Sequence, residues 1–144
     1  MPTVHQVPEL PRMPGTHYSQ VLSTAPGTLL WIAGQVGWDK DGVVPSGVEE
    51  QTRQAFRNLG FCLRAAGYGL GNVVSLTIYV LEPSAIAITH RVRKEFFTVD
   101  PPVSTGLIVA GLARPDLLVE IQAFAVGEGY APSANGGKRA TNDR

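Results

Sequence analysis

The chain has 144 residues and a mass of 15.4 kDa, enough for one domain with a real core and too little for two. Twelve lysines and arginines balance twelve aspartates and glutamates, which leaves no charge footprint for nucleic acid or an anionic membrane as partner. No apolar run approaches a membrane span, no signal peptide opens the chain, and a single cysteine, Cys62, allows no internal disulfide; a cytoplasmic domain is expected.

Residues 1–16 are proline-rich and aperiodic, which predicts an irregular arm. "YSQVLST" and "TLLWIAGQVGW" flank Pro26-Gly27 and read as an antiparallel strand pair. "DKDGVVPSG" reads as an Asp-Gly turn, because the later carboxylates of a calcium loop are missing. From Val48 to Ala66, apolar residues recur at steps of three and four, the period of a helix, with Gln51, Arg53, Gln54, Arg57 and Arg64 turned away and Gly67 as the stop. Cys62 lies beside the apolar stripe and is assigned to packing. "GYGLGN" follows a helix, whereas a phosphate-cradling glycine loop must leave a strand, so it is a helix-ending turn.

"NVVSLTIYVLEP" is a β-branched run that Pro83 stops, hence a buried strand. A second helix is predicted from a cap at Ser84 to about Thr98, with Ala85, Ile88, Val92 and Phe96 on one side. "TGLIVAGL" and "LLVEIQAFAV" are two strands around a turn at residues 113–116, and residues 127–144 lack any apolar period and are expected to be disordered. The order predicts a single α+β domain over residues 1–126, a sheet with both helices on one face.

Glu120 interrupts the last strand. Under alternation it shares a face with Leu118, Gln122 and Phe124, either on a wet surface or in a cleft where a carboxylate suits a general base or a water-holding group. Ser104 and Thr105 place two hydroxyls at the mouth of the preceding strand. His5, His17 and His90 are scattered, so no metal site is expected, and no Gly-x-Ser-x-Gly elbow supports a serine hydrolase. Trp31 and Trp38 read as core and rim, with Trp38 also able to line a cleft for a flat ligand.

Several segments, in order, resemble the Rid family (reactive intermediate deaminases, also called YjgF/UK114 proteins): "PELPRMPGTHYSQ", "WIAGQVGWDKDGVVPSGVEEQTRQAFRNLGFCLRAAG", "VVSLTIYVLEP", "VRKEFFT" and "LLVEIQAFAV". The resemblance implies a chorismate-mutase-like mixed sheet carrying two helices, a homotrimer with clefts between subunits, a small-molecule metabolite as partner and no cofactor. It implies that Tyr18 is the cleft tyrosine, that Gly34 offers a backbone N–H, and that Glu120 handles the attacking water. Three positions depart from the pattern: Ala33 where serine is common, His90 where asparagine is common, and Ser104 where the defining arginine belongs.

In members that carry it, that arginine holds the carboxylate of an imine or enamine substrate, a task for which a planar guanidinium is suited and a serine hydroxyl is not. An efficient 2-imino-acid deaminase is therefore not expected unless Arg93, Arg114 or His90 replaces the charge. Arg93, next to Arg91 and Lys94 on its helix, reads as solvated, Arg114 as exposed in its turn, and His90 as either cleft or surface. The expectation is a hydrolase for a neutral enamine, imine or activated carbonyl, with a non-catalytic binding module of the same fold as the alternative.

Overall fold

The computed structural model describes residues 2–11 and 17–128. Two short strands, β1 (Thr3–His5) and β2 (Val21–Ser23), pair antiparallel outside the main sheet. The remaining elements are β3 (Thr28–Val36), α1 (Val48–Ala65), β4 (Val73–Val80), α2 (Pro83–Phe96), β5 (Val103–Ile108) and β6 (Val119–Gly127). The main sheet has the order β3-β6-β4-β5, antiparallel except for the parallel β4–β5 pair at its edge. That parallel pair follows from α2, whose length returns the chain to the end where β4 began.

Alternation builds the core. Val119, Ile121, Ala123 and Ala125 of β6, with Leu76, Ile78 and Val80 of β4, are buried beneath the helices. Both helices cover this one face, α1 through Phe56, Leu59 and Leu63 and α2 through Ala85 and Val92. Phe56 locks the layers, packing 5.1 Å from Phe96 and edge-on to Phe97 at 5.8 Å. Each such large side chain contributes roughly 1.5–3 kcal/mol by leaving water. The other face is open: Trp31 is 73% exposed and rests edge-on against Phe124.

Several sequence expectations need correction. Residues 3–5 of the supposed irregular arm form β1, because β2 offers them a free edge; residues 12–16 lie outside the described residues. The β2 and β3 segments do not pair, since β3 takes β6 as its neighbour. Ser84 does not cap α2. Pro83 occupies the first turn, where its missing N–H costs nothing, and Glu82 precedes it. The strand expected at 105–112 begins at Val103 and ends at Ile108. Gln51 is not turned away but 2% exposed: its amide donates to the Pro45 and Asp116 carbonyls and accepts from the Leu118 N–H. Trp31 is not core. Gly127 of the supposed tail closes β6, and residues 129–144 lie outside the described residues.

Candidate active site

Glu120 stands on the open face of β6, where its neighbours are Gln122 and, across the register, Tyr79. The register between β3 and β6 slips between Ile32 and Gln35, and this bulge swings Gly34 directly over the Glu120 carboxylate. A β-carbon at position 34 would overlap that carboxylate, so only glycine permits the approach. Ala33 is exposed beside it, its carbonyl accepting from the Gln35 amide. Together Gly34, Tyr79, Glu120 and Gln122 wall an open cleft of about 450 Å³, closed on its far side by Val109 and residues 111–113. The Tyr79 hydroxyl reaches Gln122 Oε1 at 3.4 Å, and no described residue hydrogen-bonds or ion-pairs with the Glu120 carboxylate. Tyr79 and Gln122 were not singled out from the sequence; their alternation with buried neighbours was the available signal.

A second cluster forms at the sheet edge. Ser104 pairs with Leu76 and so faces the helices, as does Gly106, which lies against Ile86. Thr105 pairs with Thr77, faces the opposite side and is exposed, so the two hydroxyls of the strand mouth diverge. Tyr18 is brought to this edge by its neighbours. The Ser19 N–H donates to the Pro102 carbonyl, its hydroxyl donates to the Pro101 carbonyl, and His17 Nε2 contacts the Phe97 carbonyl.

The largest departure from expectation is Arg93. It is not solvated but fully buried, with Nη1 donating to Ser104 Oγ at 2.7 Å. Helical spacing explains the difference: Arg93 follows Val92 and lies four residues after Thr89, both buried, whereas Arg91 and Lys94 point outward. Burial lowers the pKa of its guanidinium to about 10, and nearby Tyr18 acts in the opposite direction. His90 is half-buried on the same helix, and burial, then Arg93 and Lys94, holds its imidazole below the ordinary histidine range. Arg114 is exposed as expected, forked onto Asp116 at 3.0 and 2.6 Å, with Trp38 beneath it at 5.9 Å. Trp38 and Arg114 thus pack against each other at the surface, next to Ala113 of the cleft wall.

Within one chain, therefore, the predicted residues fall into two groups on opposite faces of the sheet. Glu120 and Gly34 share the open cleft, while Tyr18, His90, Arg93 and Ser104 share the helix-side edge. The model of the Endoribonuclease L-PSP family matches residues 11–127. The chain belongs to this family, the YjgF/Rid proteins. A RutC family protein of Pyrococcus horikoshii is 36% identical over 77% of this chain and 87% of its own. A mouse protein named 2-iminobutanoate/2-iminopropanoate deaminase is 36% identical over 76% of this chain and 80% of its own. The crystal structure of the Rid protein YyfB from Yersinia pestis matches 87% of this chain and 98% of its own, with a TM-score of 0.78 and 32% identity. This chain shares the mixed two-helix fold of the YjgF/Rid structures.

Proposed function

We propose that this chain hydrolyses a carbon–nitrogen double bond, as an imine or its enamine tautomer, in a cleft that a second copy completes within a homotrimer. The observation that carries this reading is the unpaired Glu120 carboxylate held under Gly34 in the wall of an open cleft. A carboxylate with no partner among the described residues is free to accept a proton from water. The separation of the two residue groups onto opposite faces supports the second copy, as does the exposed apolar face around Trp31, which closed symmetry would cover.

In the reaction, an enamine is first protonated on carbon to the iminium. Water oxygen bonds to the iminium carbon, the π electrons move to nitrogen, and Glu120 takes the water proton. That proton passes to nitrogen, the C–N bond breaks with loss of ammonia, and the hydroxyl loses its proton to give the ketone. Gly34 offers a backbone N–H beside the cleft, and Tyr18 offers a hydroxyl at the edge. The family's endoribonuclease label draws no support from this chain, whose charges cancel and whose cleft carries a carboxylate where a phosphate backbone would need cations.

Ammonia release from imines generated in place by an amino-acid oxidase tests this. The wild type accelerates release and sediments at three times the chain mass, and Glu120→Gln keeps the trimer but slows release by about 10²–10⁴-fold. Unchanged release in that variant would assign Glu120 to structure, and a wild type that does not accelerate release would leave a metabolite-binding trimer as the reading.

A further inference from the structure

Residues 110–116 run between β5 and β6, belong to no strand, and are exposed except for Leu112. Such a span has little burial of its own to set its course, yet residues 111–113 close the cleft opposite Glu120. Its place is decided at its two ends. At the first, the Val109 N–H donates to the Val80 carbonyl at 2.8 Å. At the second stands Gln51, which reaches up from the first turn of α1. Its amide nitrogen donates to the Asp116 carbonyl at 2.9 Å and the Pro45 carbonyl at 3.1 Å, and its oxygen accepts from the Leu118 N–H at 2.8 Å.

The inward residues beyond it on α1 include Ala55, Phe56, Leu59 and Leu63. An apolar side chain at position 51 would serve packing, but it would leave two loop carbonyls and one N–H without partners. The same helix holds the end of β3: Gly37 lies so close to Gln51 that a β-carbon would overlap its backbone, and Asn58 donates to the Val36 and Trp38 carbonyls at 2.8 and 2.7 Å. Glu120 itself does not depend on this clamp, because the ladders to Val36 and Tyr79 flank it on both sides. The wall opposite has no ladder. For that wall, Gln51 decides.

We propose that Gln51 is a positioning residue that sets the width of the cleft, and with it the size of the substituent an imine can carry past Leu112 and Ala113. It acts through the backbone of the 110–116 span and touches no substrate itself. The proposal rests on the reading of the cleft as a site of imine hydrolysis and adds a rule of size to it. A wall held at both ends excludes by shape; a wall released at one end yields, and large substituents gain more from this than small ones.

The test compares kcat/KM for the imines of alanine and leucine, each generated by the oxidase and followed as ammonia release. Their ratio does not depend on how much of a variant is folded, so a loss of stability alone leaves it unmoved. Gln51→Met, of similar length and without hydrogen-bonding groups, shifts the ratio about tenfold toward the leucine imine, the scale on which a pocket discriminates a methylene. Leu63→Val, which weakens the same helix at its other end, leaves the ratio where it was. An unchanged ratio in Gln51→Met, or an equal shift in Leu63→Val, overturns the proposal. Should Gln51→Met not fold, Gln51→Glu carries the test: its carboxylate still accepts from Leu118 but has nothing to donate to Asp116. Failure of both to fold overturns the proposal, since Gln51 would then belong to the core and not to the cleft. Hydrogen exchange supplies a readout without turnover: residues 110–116 exchange faster in the Gln51 variant while β4 keeps its protection. Unchanged exchange overturns the clamp at any activity. A wild type that accelerates neither imine overturns the hydrolase reading, and the clamp then stands or falls by exchange.

Discussion

Two arginines on the two packed helices stand in opposite circumstances. Arg53 of α1 faces water and is surrounded by three carboxylates, Glu49, Glu50 and Glu95, the last reaching across from α2. Arg93 of α2 is buried, and no described carboxylate pairs with it. Where water already solvates charge, the chain has placed counter-charges in excess; where water is excluded, it has placed a single serine. Surface pairs of the first kind contribute little to stability, and their arrangement constrains little. A buried cation of the second kind matters a great deal, because every donor left empty costs about 1–3 kcal/mol. The contrast teaches that the ion pairs visible on this protein are its least informative charges.

The comparison is broken most sharply by giving Arg93 an internal partner. Ser104→Asp places a carboxylate at the atom that Arg93 already contacts. Since the desolvation of Arg93 is present in the wild type, the new group adds only its own, which is modest at a partly exposed strand position. The variant should gain about 1–3 kcal/mol in urea denaturation. A less stable Ser104→Asp protein would show that the guanidinium is not short of an anion.

Much of this molecule was legible from its residues, and the limits of that reading follow the same physics. Alternation in "LLVEIQAFAV" placed Glu120 opposite the core because the period of a strand is fixed and one face of this sheet is covered. The helices were legible for the same reason, within one to a few residues at their ends. Pairing was not: a strand carries no sign of its neighbour, so β1–β2 and the insertion of β6 between β3 and β4 emerged only with the fold. Arg93 was misread because charged residues on helices are usually solvated, and Arg91 and Lys94 beside it obey that rule. Its burial goes with the hydrogen bond to Ser104 at the sheet edge, a contact between positions eleven apart in sequence that no helical pattern contains.

His90 reports on the same buried charge more gently. Its proton is disfavoured by burial, then by Arg93 and Lys94, so its folded pKa lies below the unfolded one. The sign follows. At pH 7.5 both states are neutral, and as the pH falls through the ordinary histidine value the unfolded state takes up protons first. Stability is therefore lost over that interval and stays lost below the folded value. Comparing denaturation midpoints at pH 7.5 and 5.5 should show a small loss in the wild type that shrinks in His90→Asn and, to a lesser degree, in Arg93→Met. Glu49 and Glu95, which pair with Arg53, are held below the ordinary carboxylate range by its guanidinium and titrate under this window, so they do not confound it. An unchanged pH dependence in His90→Asn would remove His90 from the influence of the buried cation.

The smallest effect belongs to the most conspicuous cluster. Arg53 donates to three carboxylates, and Glu95 engages it through both oxygens at 2.9 and 2.8 Å. These contacts sit in water, where ordering the side chains offsets most of the attraction and salt screens the remainder. Arg53→Met should leave the unfolding midpoint nearly where it was, with any difference vanishing as salt is raised. The same substitution at Arg93 should keep the protein at least as stable, with any gain persisting as salt is raised. The two variants differ only in which arginine has been replaced by methionine. If Arg53→Met instead unfolded the protein, the bridge from α1 to Glu95 would be what holds α2, and with it Arg93, against the sheet edge. The place of the buried charge would then be set from the surface rather than from the interior.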